Sequence, residues 1–173
     1  MSEDPMNPIL SRRSCRHFLS EPLREGTMER LLEAMQQAPS AGNCQPWFVY
    51  IVTNRATKEC LAQAAFDQTF LAQAPVVFVI CAEPERSAAR YRERGRTLYC
   101  LQDTAAMVEN LLIAATALGY GSCWIGAFDE EAAKEALNTP RHLRPVAIVP
   151  VGPGSPSRHP TPRRPLSEIT AIV

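Results

Sequence analysis

Near its N-terminus the chain reads Ser11-Arg-Arg-Ser-Cys-Arg-His-Phe18, with three arginines and two serines within six residues. If this arginine segment is extended, its side chains alternate and Arg12, Ser14 and Arg16 point to one side. If it is helical, Arg12 and Arg16 lie four residues apart and again share a face. Both conformations predict a phosphate-type anion site, because guanidinium forks and serine hydroxyls are good phosphate donors. A solvated basic helix end is the alternative, and the segment alone does not exclude it.

The length and composition of the chain predict an ordinary globular protein. Its 173 residues suit one domain with a sizeable core, which we expect to span residues 1–173, with 152–173 forming an extended C-terminal arm. Hydrophobic residues make up 46% and charged residues 21%, as in typical globular domains. A formal net charge of +0 disfavours a nucleic-acid partner that is held by a bulk positive field.

Targeting and metal-binding signals are missing from the sequence. No run of about 18 apolar residues exists and the N-terminus is polar, so we expect no membrane-spanning helix, no secretory signal and a cytoplasmic location. The cysteines are more than fifteen residues apart, which is unlike the C-x-x-C spacing of metal knuckles and redox pairs. We therefore predict free thiols and no metal site.

Hydrophobic periodicity predicts alternating helices and strands. The predicted helices cover 5–13, 25–38, 55–65, 98–118 and 129–137, with a turn over 67–73 and a solvated helix or loop over 84–96. The predicted strands cover 47–52, 76–82, 122–125 and 146–151. Five prolines and two glycines argue against regular structure in 152–165, whereas the apolar residues 166–173 are expected to dock. This order predicts an α/β or α+β domain with a mixed sheet.

Common catalytic motifs are absent from the sequence. It contains no G-x-S-x-G nucleophile elbow, no phosphate-binding P-loop and no G-x-G-x-x-G dinucleotide fingerprint. The acidic pair Glu29 and Glu33 falls on the predicted solvent face of a helix. An arginine cluster without acid–base residues favours a protein whose chemistry is supplied by a bound cofactor.

Four motifs in a fixed order resemble the signature of the nitroreductase family, whose members are homodimeric FMN-dependent oxidoreductases. The motifs are Arg12-Arg-Ser-x-Arg16, Ala38-Pro-Ser-x-x-Asn-x-Gln-Pro-Trp47, Gly121-Ser-Cys-Trp-Ile-Gly126 and Arg163-Arg-Pro-Leu166. The second motif is the most specific. The resemblance implies an α+β nitroreductase-like fold: a central mixed, mostly antiparallel sheet flanked by helices, with a C-terminal tail exchanged between subunits.

The resemblance also implies that charged residues from both ends of the chain bind FMN. The residues implied are Arg12, Arg13, Ser14, Arg16, Arg163 and Arg164. Arg12 and the two tail arginines would meet the phosphate, and Arg16 would reach the N1/O2 edge of the flavin ring. A fixed cation at that edge stabilises the negative charge of the reduced ring.

Three further parts of the chain are implied to contact the flavin. Pro39, Ser40, Ala41 and Asn43 would touch the flavin of the partner subunit. Ile125 and Gly126 would lie against the ring, with the Ile125 N–H facing N5. Gln68 is a candidate for the pyrimidine edge. No side chain is implied as a catalytic acid or base.

The resemblance implies hydride transfer from NAD(P)H through flavin N5 to a nitroaromatic, a quinone or a similar small-molecule acceptor. Alternatives that stay open are a reductive dehalogenase or flavin-consuming enzyme of the same fold, and a non-catalytic FMN-binding module. The chain is too short for the helical insert that covers the flavin in larger members. We therefore expect an acceptor pocket that is open or is built from residues 84–100.

Overall fold

A four-stranded sheet lies at the centre of the computed structural model, which describes residues 4–156 and 161–173. Its strands, numbered along the chain, are β2 (Trp47–Val52), β3 (Val76–Ala82), β4 (Gly121–Ser122) and β5 (Arg144–Gly152). They lie in the order β2-β3-β5-β4, and each neighbouring pair is antiparallel. The predicted bounds of β2 and β3 are confirmed.

The sheet is covered by helices on both faces. All seven residues of β3 are buried, which explains its near-continuous apolar sequence. One face packs on α2 (Thr27–Gln36) and α6 (Cys100–Ala117), and the other packs on α3 (Arg55–Ala64) and α7 (Glu130–Leu137). The fold is therefore α+β, with the core divided between the two faces of one sheet.

The remaining helices are short or lie at the surface. They are α1 (Asn7–Ser11), α4 (Phe70–Gln73) and α5 (Pro84–Arg94), and a π-type turn, Gly95–Tyr99, joins α5 to α6. The predicted segment 84–96 is thus helical over most of its length. Among the described residues, no helix is both long enough and apolar enough to cross a bilayer.

Two predicted helix starts are confirmed by their capping hydrogen bonds. The side chain of Asn54 accepts a bond of 3.0 Å from the Thr57 N–H at the start of α3. The side chain of Asp129 accepts from the Glu131 and Ala132 N–H groups at the start of α7, at 2.9 and 3.0 Å. Each cap satisfies donors that the first helical turn leaves unpaired.

The structure corrects three predicted bounds. The helix predicted over 5–13 ends at Ser11, because Arg12 already has the extended angles φ −52° and ψ 128°. The strand predicted over 122–125 ends at Ser122, after which Ile125 makes a single bridge to Ile148.

The third correction concerns 152–165, which contains an unpredicted short strand, β6 (Gly154–Pro156). This strand pairs with β1 (Cys15–Phe18), whose edge supplies the hydrogen-bonding partners that local sequence does not reveal. The sheet expected from the resemblance is mixed and mostly antiparallel, and the strand pairs of the described residues are all antiparallel. Their parallel contact is an isolated bridge between Ser14 and Ser122.

Close packing around Cys15 fixes β1 against β4 and β6. Cys15 is fully buried. A Cβ atom on Gly121 would lie 2.7 Å from the Cys15 sulfur. A Cβ atom on Gly154 would lie 2.8 Å from the same sulfur and would collide with the His17 carbonyl oxygen. No residue with a side chain fits at either glycine position without a shift of its neighbours. The two glycines therefore determine where the arginine segment lies.

Replacing Gly154 by alanine should destabilise the protein, because the added methyl group has no space between β6 and β1. We expect Gly154→Ala to lower the free energy of unfolding by about 1–3 kcal/mol, as overpacking does. Urea denaturation measures this change. The control is Ser155→Ala at the exposed neighbouring position, which should change stability by at most about 0.5 kcal/mol. Equal stability of the two variants would contradict the close packing.

Candidate functional site

The arginine segment is extended, as one of its two predicted conformations requires. Ser14 bridges to Ser122 of β4, and Cys15 and Arg16 follow in β1. Cys15 points into the protein and Arg16 is exposed, so these two neighbouring side chains lie on opposite sides of the strand. Ser14 and Arg16 therefore lie on the side opposite Cys15.

Three of the predicted residues lie around one buried thiol, that of Cys123. Burial raises the pKa of Cys123, which is 2% exposed. The Arg16 guanidinium, a hydrogen bond from Ser14 and the Arg12 guanidinium act in the opposite direction and lower that pKa. These influences, together with the bridge of Ser14 to Ser122, indicate that Arg12, Ser14 and Arg16 lie on the side of the segment that faces Cys123.

The three guanidinium groups differ in what they already contact. Arg13 donates from Nη1 to the carbonyls of Leu10 and Arg12, both at 2.9 Å, and so stabilises the end of α1. Arg12 Nε lies 3.8 Å from a carboxylate oxygen of Glu109 on α6. The exposed Arg16 makes no side-chain hydrogen bond or ion pair with the described residues. Arg16 therefore keeps its donors available for an anionic ligand.

The prediction that the Ile125 N–H faces the flavin is wrong. That N–H donates to the carbonyl of Ile148 at 2.9 Å, and Ile125 is only 3% exposed. The next residue, Gly126, is exposed, and its N–H has no acceptor in the described parts of the chain. The side-chain amide of Gln68 donates to the carbonyls of Ala65 at 3.0 Å and Ala127 at 3.4 Å, and so lies beside Gly126.

The residues predicted to touch the partner's flavin lie in residues 37–46, which join α2 to β2 and are called here the 37–46 loop. Pro39 and Asn43 are exposed, and Ser40 and Ala41 are half-buried. The backbone turns through left-handed angles at Gly42 and Asn43, both with φ 55°. Glycine and asparagine adopt such angles most easily.

Hydrogen bonds from outside and inside the loop fix its backbone. The Ala41 N–H donates to Asp103 Oδ1 on α6 at 3.0 Å, and the Gln45 N–H donates to Ser40 Oγ at 3.0 Å. Two arginines of α5 donate to loop carbonyls, Arg86 to Cys44 and Arg90 to Gly42. Both arginines are exposed, as in the predicted solvated helix, and their guanidinium groups also bond the loop.

Sequence reasoning missed Asp103. This residue is 6% exposed, and its second oxygen, Oδ2, has no hydrogen-bond partner among the residues that the structure describes. Burial raises the pKa of Asp103, while the Ala41 N–H acts to lower it. The available signal was a lone acid in the first turn of an otherwise apolar helix, which the apolar pattern of 98–118 obscured.

The arginine segment and the 37–46 loop meet different faces of α6. Asp103 and Glu109 are six residues apart, which is about 9 Å along the helix and about 240° around it. In the described residues, no hydrogen bond or ion pair joins the loop to the arginine segment. One chain therefore presents two separate groups of predicted site residues.

The structure does not bring the tail arginines to the arginine segment. Arg163 and Arg164 are exposed, and Arg163 donates to the nearby carbonyl of Thr161 at 3.0 Å. Residues 157–160, which precede them, lie outside the described residues. The arm does begin near the predicted site, because Pro156 of β6 is opposite Cys15.

A surface cavity of about 840 Å³ lies between α3, α4 and the end of β1. None of the predicted site residues lines it. Its lining includes Lys58, whose ammonium group donates to the Ala74 carbonyl at 2.6 Å. The groups gathered around Cys123 are therefore not part of this cavity.

Comparison with known proteins identifies relatives over most of the chain. A model of the nitroreductase family matches residues 9–70 and 63–153. An NADH dehydrogenase of Thermus thermophilus is 30% identical over 193 aligned positions, covering 96% of this chain and 94% of that protein. An oxygen-insensitive NADPH nitroreductase of Salmonella typhimurium is 31% identical over 145 positions, covering 80% of this chain and 60% of that protein. A solved structure of the NfrA1 nitroreductase from Bacillus subtilis matches with TM-score 0.87 and 25% identity, covering 97% of this chain and 73% of that one.

Replacing Asp103 by asparagine should change how stability depends on pH. Because the folded pKa of Asp103 is raised, the folded protein binds more protons than the unfolded chain above pH about 4. This acid therefore costs stability as the pH rises through its folded pKa. Asparagine keeps an acceptor for the Ala41 N–H without the charge. Relative to wild type, the melting temperature of Asp103→Asn should rise as the pH increases above about 4.

Thermal denaturation across a pH series measures this difference. Glu135→Gln is the control, since it removes an acid from an exposed position of α7. Its pH profile should run parallel to that of the wild type. If the pH profile of Asp103→Asn is also parallel to that of the wild type, Asp103 does not lower the stability of the folded protein as the pH rises.

Proposed function

This chain belongs to the nitroreductase family, as its four motifs suggested, and from that premise we propose that it reduces a small-molecule acceptor with electrons from NAD(P)H. The acceptor class that we propose is a nitroaromatic, a quinone or a similar compound. FMN, when bound, supplies the chemistry by accepting hydride from NAD(P)H and passing electrons on. The observation that carries the proposal is the exposed Arg16 on β1, which makes no side-chain hydrogen bond or ion pair with the described residues and lies in the same extended segment as Arg12 and Ser14.

The residues around Cys123 suit the two charged parts of FMN. A phosphate needs cationic and hydroxyl donors, which Arg12 and Ser14 supply. Arg16 is assigned to the N1/O2 edge of the ring, where negative charge develops on reduction. Strand β1 fixes the backbone of Arg16, and the guanidinium group would stabilise that charge. Arg13 supports the same site by holding the end of α1.

Two uncharged groups complete the proposed contacts with the ring. The N–H of Gly126, which has no acceptor within the described parts of the chain, replaces that of Ile125 as the donor assigned to N5. Gln68, which is bonded to the Ala127 carbonyl beside it, is assigned to the pyrimidine edge. Orientation by hydrogen bonds and a fixed cation is then the contribution of this chain, and no side-chain acid or base is needed.

We further propose that the protein acts as a homodimer in which Pro39, Ser40, Ala41 and Asn43 complete the partner's flavin site. The separation of these residues from the arginine segment on α6 supports this assignment. Exposed apolar side chains on α1 and the tail also support a partner, because such groups usually mark interaction surfaces. They are Met6, Ile9, Leu10, Leu166, Ile169, Ile172 and Val173. In the proposed dimer the tail is exchanged, and Arg163 and Arg164 reach an FMN phosphate.

Replacing Arg16 by alanine should weaken FMN binding and slow flavin reduction. Loss of a charge-assisted hydrogen bond costs about 1.5–3 kcal/mol. The dissociation constant for FMN should therefore rise about 10- to 150-fold. Flavin fluorescence titration gives this constant, and stopped-flow absorbance gives the reduction rate. Arg55→Ala, which removes an exposed arginine paired with Glu59, is the control and should change neither. Wild-type behaviour of Arg16→Ala would remove Arg16 from the site.

Anaerobic reduction separates an enzyme from a binding module. NADH or NADPH added to the yellow FMN-loaded protein should bleach it within seconds, and a nitroaromatic or quinone should then restore the colour. Absorbance at the flavin band follows both steps. Persistent yellow colour with both nucleotides would contradict the proposed reductase and favour a non-catalytic FMN-binding module.

A further inference from the structure

The arginines within and just after α5 make two kinds of contact. Arg96, just after the helix, is paired with Glu85 at 2.8 Å and Glu93 at 2.7 Å. Arg94 donates to the Tyr99 hydroxyl at 2.9 Å. These contacts stay within α5 and the turn that follows it, so they serve the helix itself.

Arg86 and Arg90 instead reach out to the 37–46 loop. Arg86 Nε donates to the Cys44 carbonyl, and Arg90 Nη1 donates to the Gly42 carbonyl, both at 2.7 Å. The two residues are four apart and so share one face of α5. Charge-assisted bonds of this length are stronger than neutral ones.

The loop needs these donors because its own conformation leaves carbonyls unpaired. Left-handed angles at Gly42 and Asn43 rule out a regular helical ladder. The contact is also close: a Cβ atom on Gly42 would lie 2.7 Å from the Arg90 guanidinium carbon and would collide with the Tyr91 hydroxyl. Helix α5 and the loop are therefore packed without space between them at Gly42.

The same segment of chain holds the loop at two more points. The Glu83 N–H, just before α5, donates to the Pro46 carbonyl at 2.8 Å. Asp103, near the start of α6, accepts from the Ala41 N–H at 3.0 Å. A Cβ atom on Gly95 would lie 2.5 Å from the Ser87 carbonyl oxygen, so the turn between the helices packs tightly on α5. Residues 83–103 thus form one support for the loop.

We propose that Arg86 and Arg90 are positioning residues for the flavin site of the partner subunit. They fix the carbonyls of Gly42 and Cys44, and this holds Ser40, Ala41 and Asn43 in the conformation that meets the partner's FMN. This inference rests on the proposed function, because it requires that the loop contacts a flavin. It assigns no contact between either arginine and the flavin.

Alanine variants of the two arginines test the positioning role. Each single variant should raise the dissociation constant for FMN about 3- to 10-fold, measured well below the melting temperature. Arg90→Lys should recover part of the affinity, because an ammonium group can donate to one carbonyl. Arg94→Ala is the matched control on the same helix and should leave the constant unchanged. A purely structural role would lower the melting temperature without changing FMN affinity.

Mixed dimers show which flavin the two arginines act on. Subunits carrying Arg16→Ala are paired with subunits carrying Arg86→Ala and Arg90→Ala by co-expression with two affinity tags. If the loop serves the partner, one site of the mixed dimer combines intact Arg16 with an intact loop, and the other site carries both defects. Titration should then find one tight FMN site per dimer.

The outcomes separate the two proposals. Two weakened sites in the mixed dimer would overturn the inference, and so would wild-type affinity in Arg86→Ala and Arg90→Ala. If the inference fails but Arg16→Ala still weakens FMN binding in the same experiments, the proposed function is retained. A wild-type protein that binds no FMN would overturn both. The single variants and Arg90→Lys keep the test decisive if the double variant does not fold.

Discussion

The position of the arginine segment depends on the close packing of Cys15 against Gly121 and Gly154. Neither glycine has a side chain, so β4 and β6 approach the cysteine sulfur from two directions. Because side chains alternate along an extended strand, burying Cys15 directs Ser14 and Arg16 to the opposite side. Strand β1 thereby sets the backbone position of the exposed Arg16, the residue that we assign to the charge that develops on the reduced flavin.

Helix α6 separates the two groups of residues that we assign to flavin sites. The arginine segment contacts it through Glu109, whereas the 37–46 loop contacts it through Asp103. Buried apolar residues of α6 pack on the central sheet, so the helix has little freedom to bring the two groups together. This geometry is the basis of our proposal that a second copy of the chain combines the two groups.

Sequence reasoning succeeded where the pattern is local. The bounds of β2 and β3 follow from apolar runs, and the starts of α3 and α7 follow from Asn54 and Asp129, because each signal acts within a few residues. Sequence reasoning failed where a hydrogen bond or a strand depends on a residue that is distant along the chain. The Ile125 N–H is bonded to Ile148, and β6 forms because β1 offers an edge. The contacts of Arg86 and Arg90 with the loop were missed, since an arginine that is only solvated and one that also reaches a loop carbonyl look alike in sequence.

The central claim is that FMN binds at a site completed by two copies of the chain. Native mass spectrometry of the protein incubated with excess FMN tests it most directly, because it reports subunits and bound flavin in the same ion. The account predicts a dimer carrying two FMN molecules and monomer ions carrying none. Monomers that each retain one FMN, or dimers that carry no flavin, would contradict it.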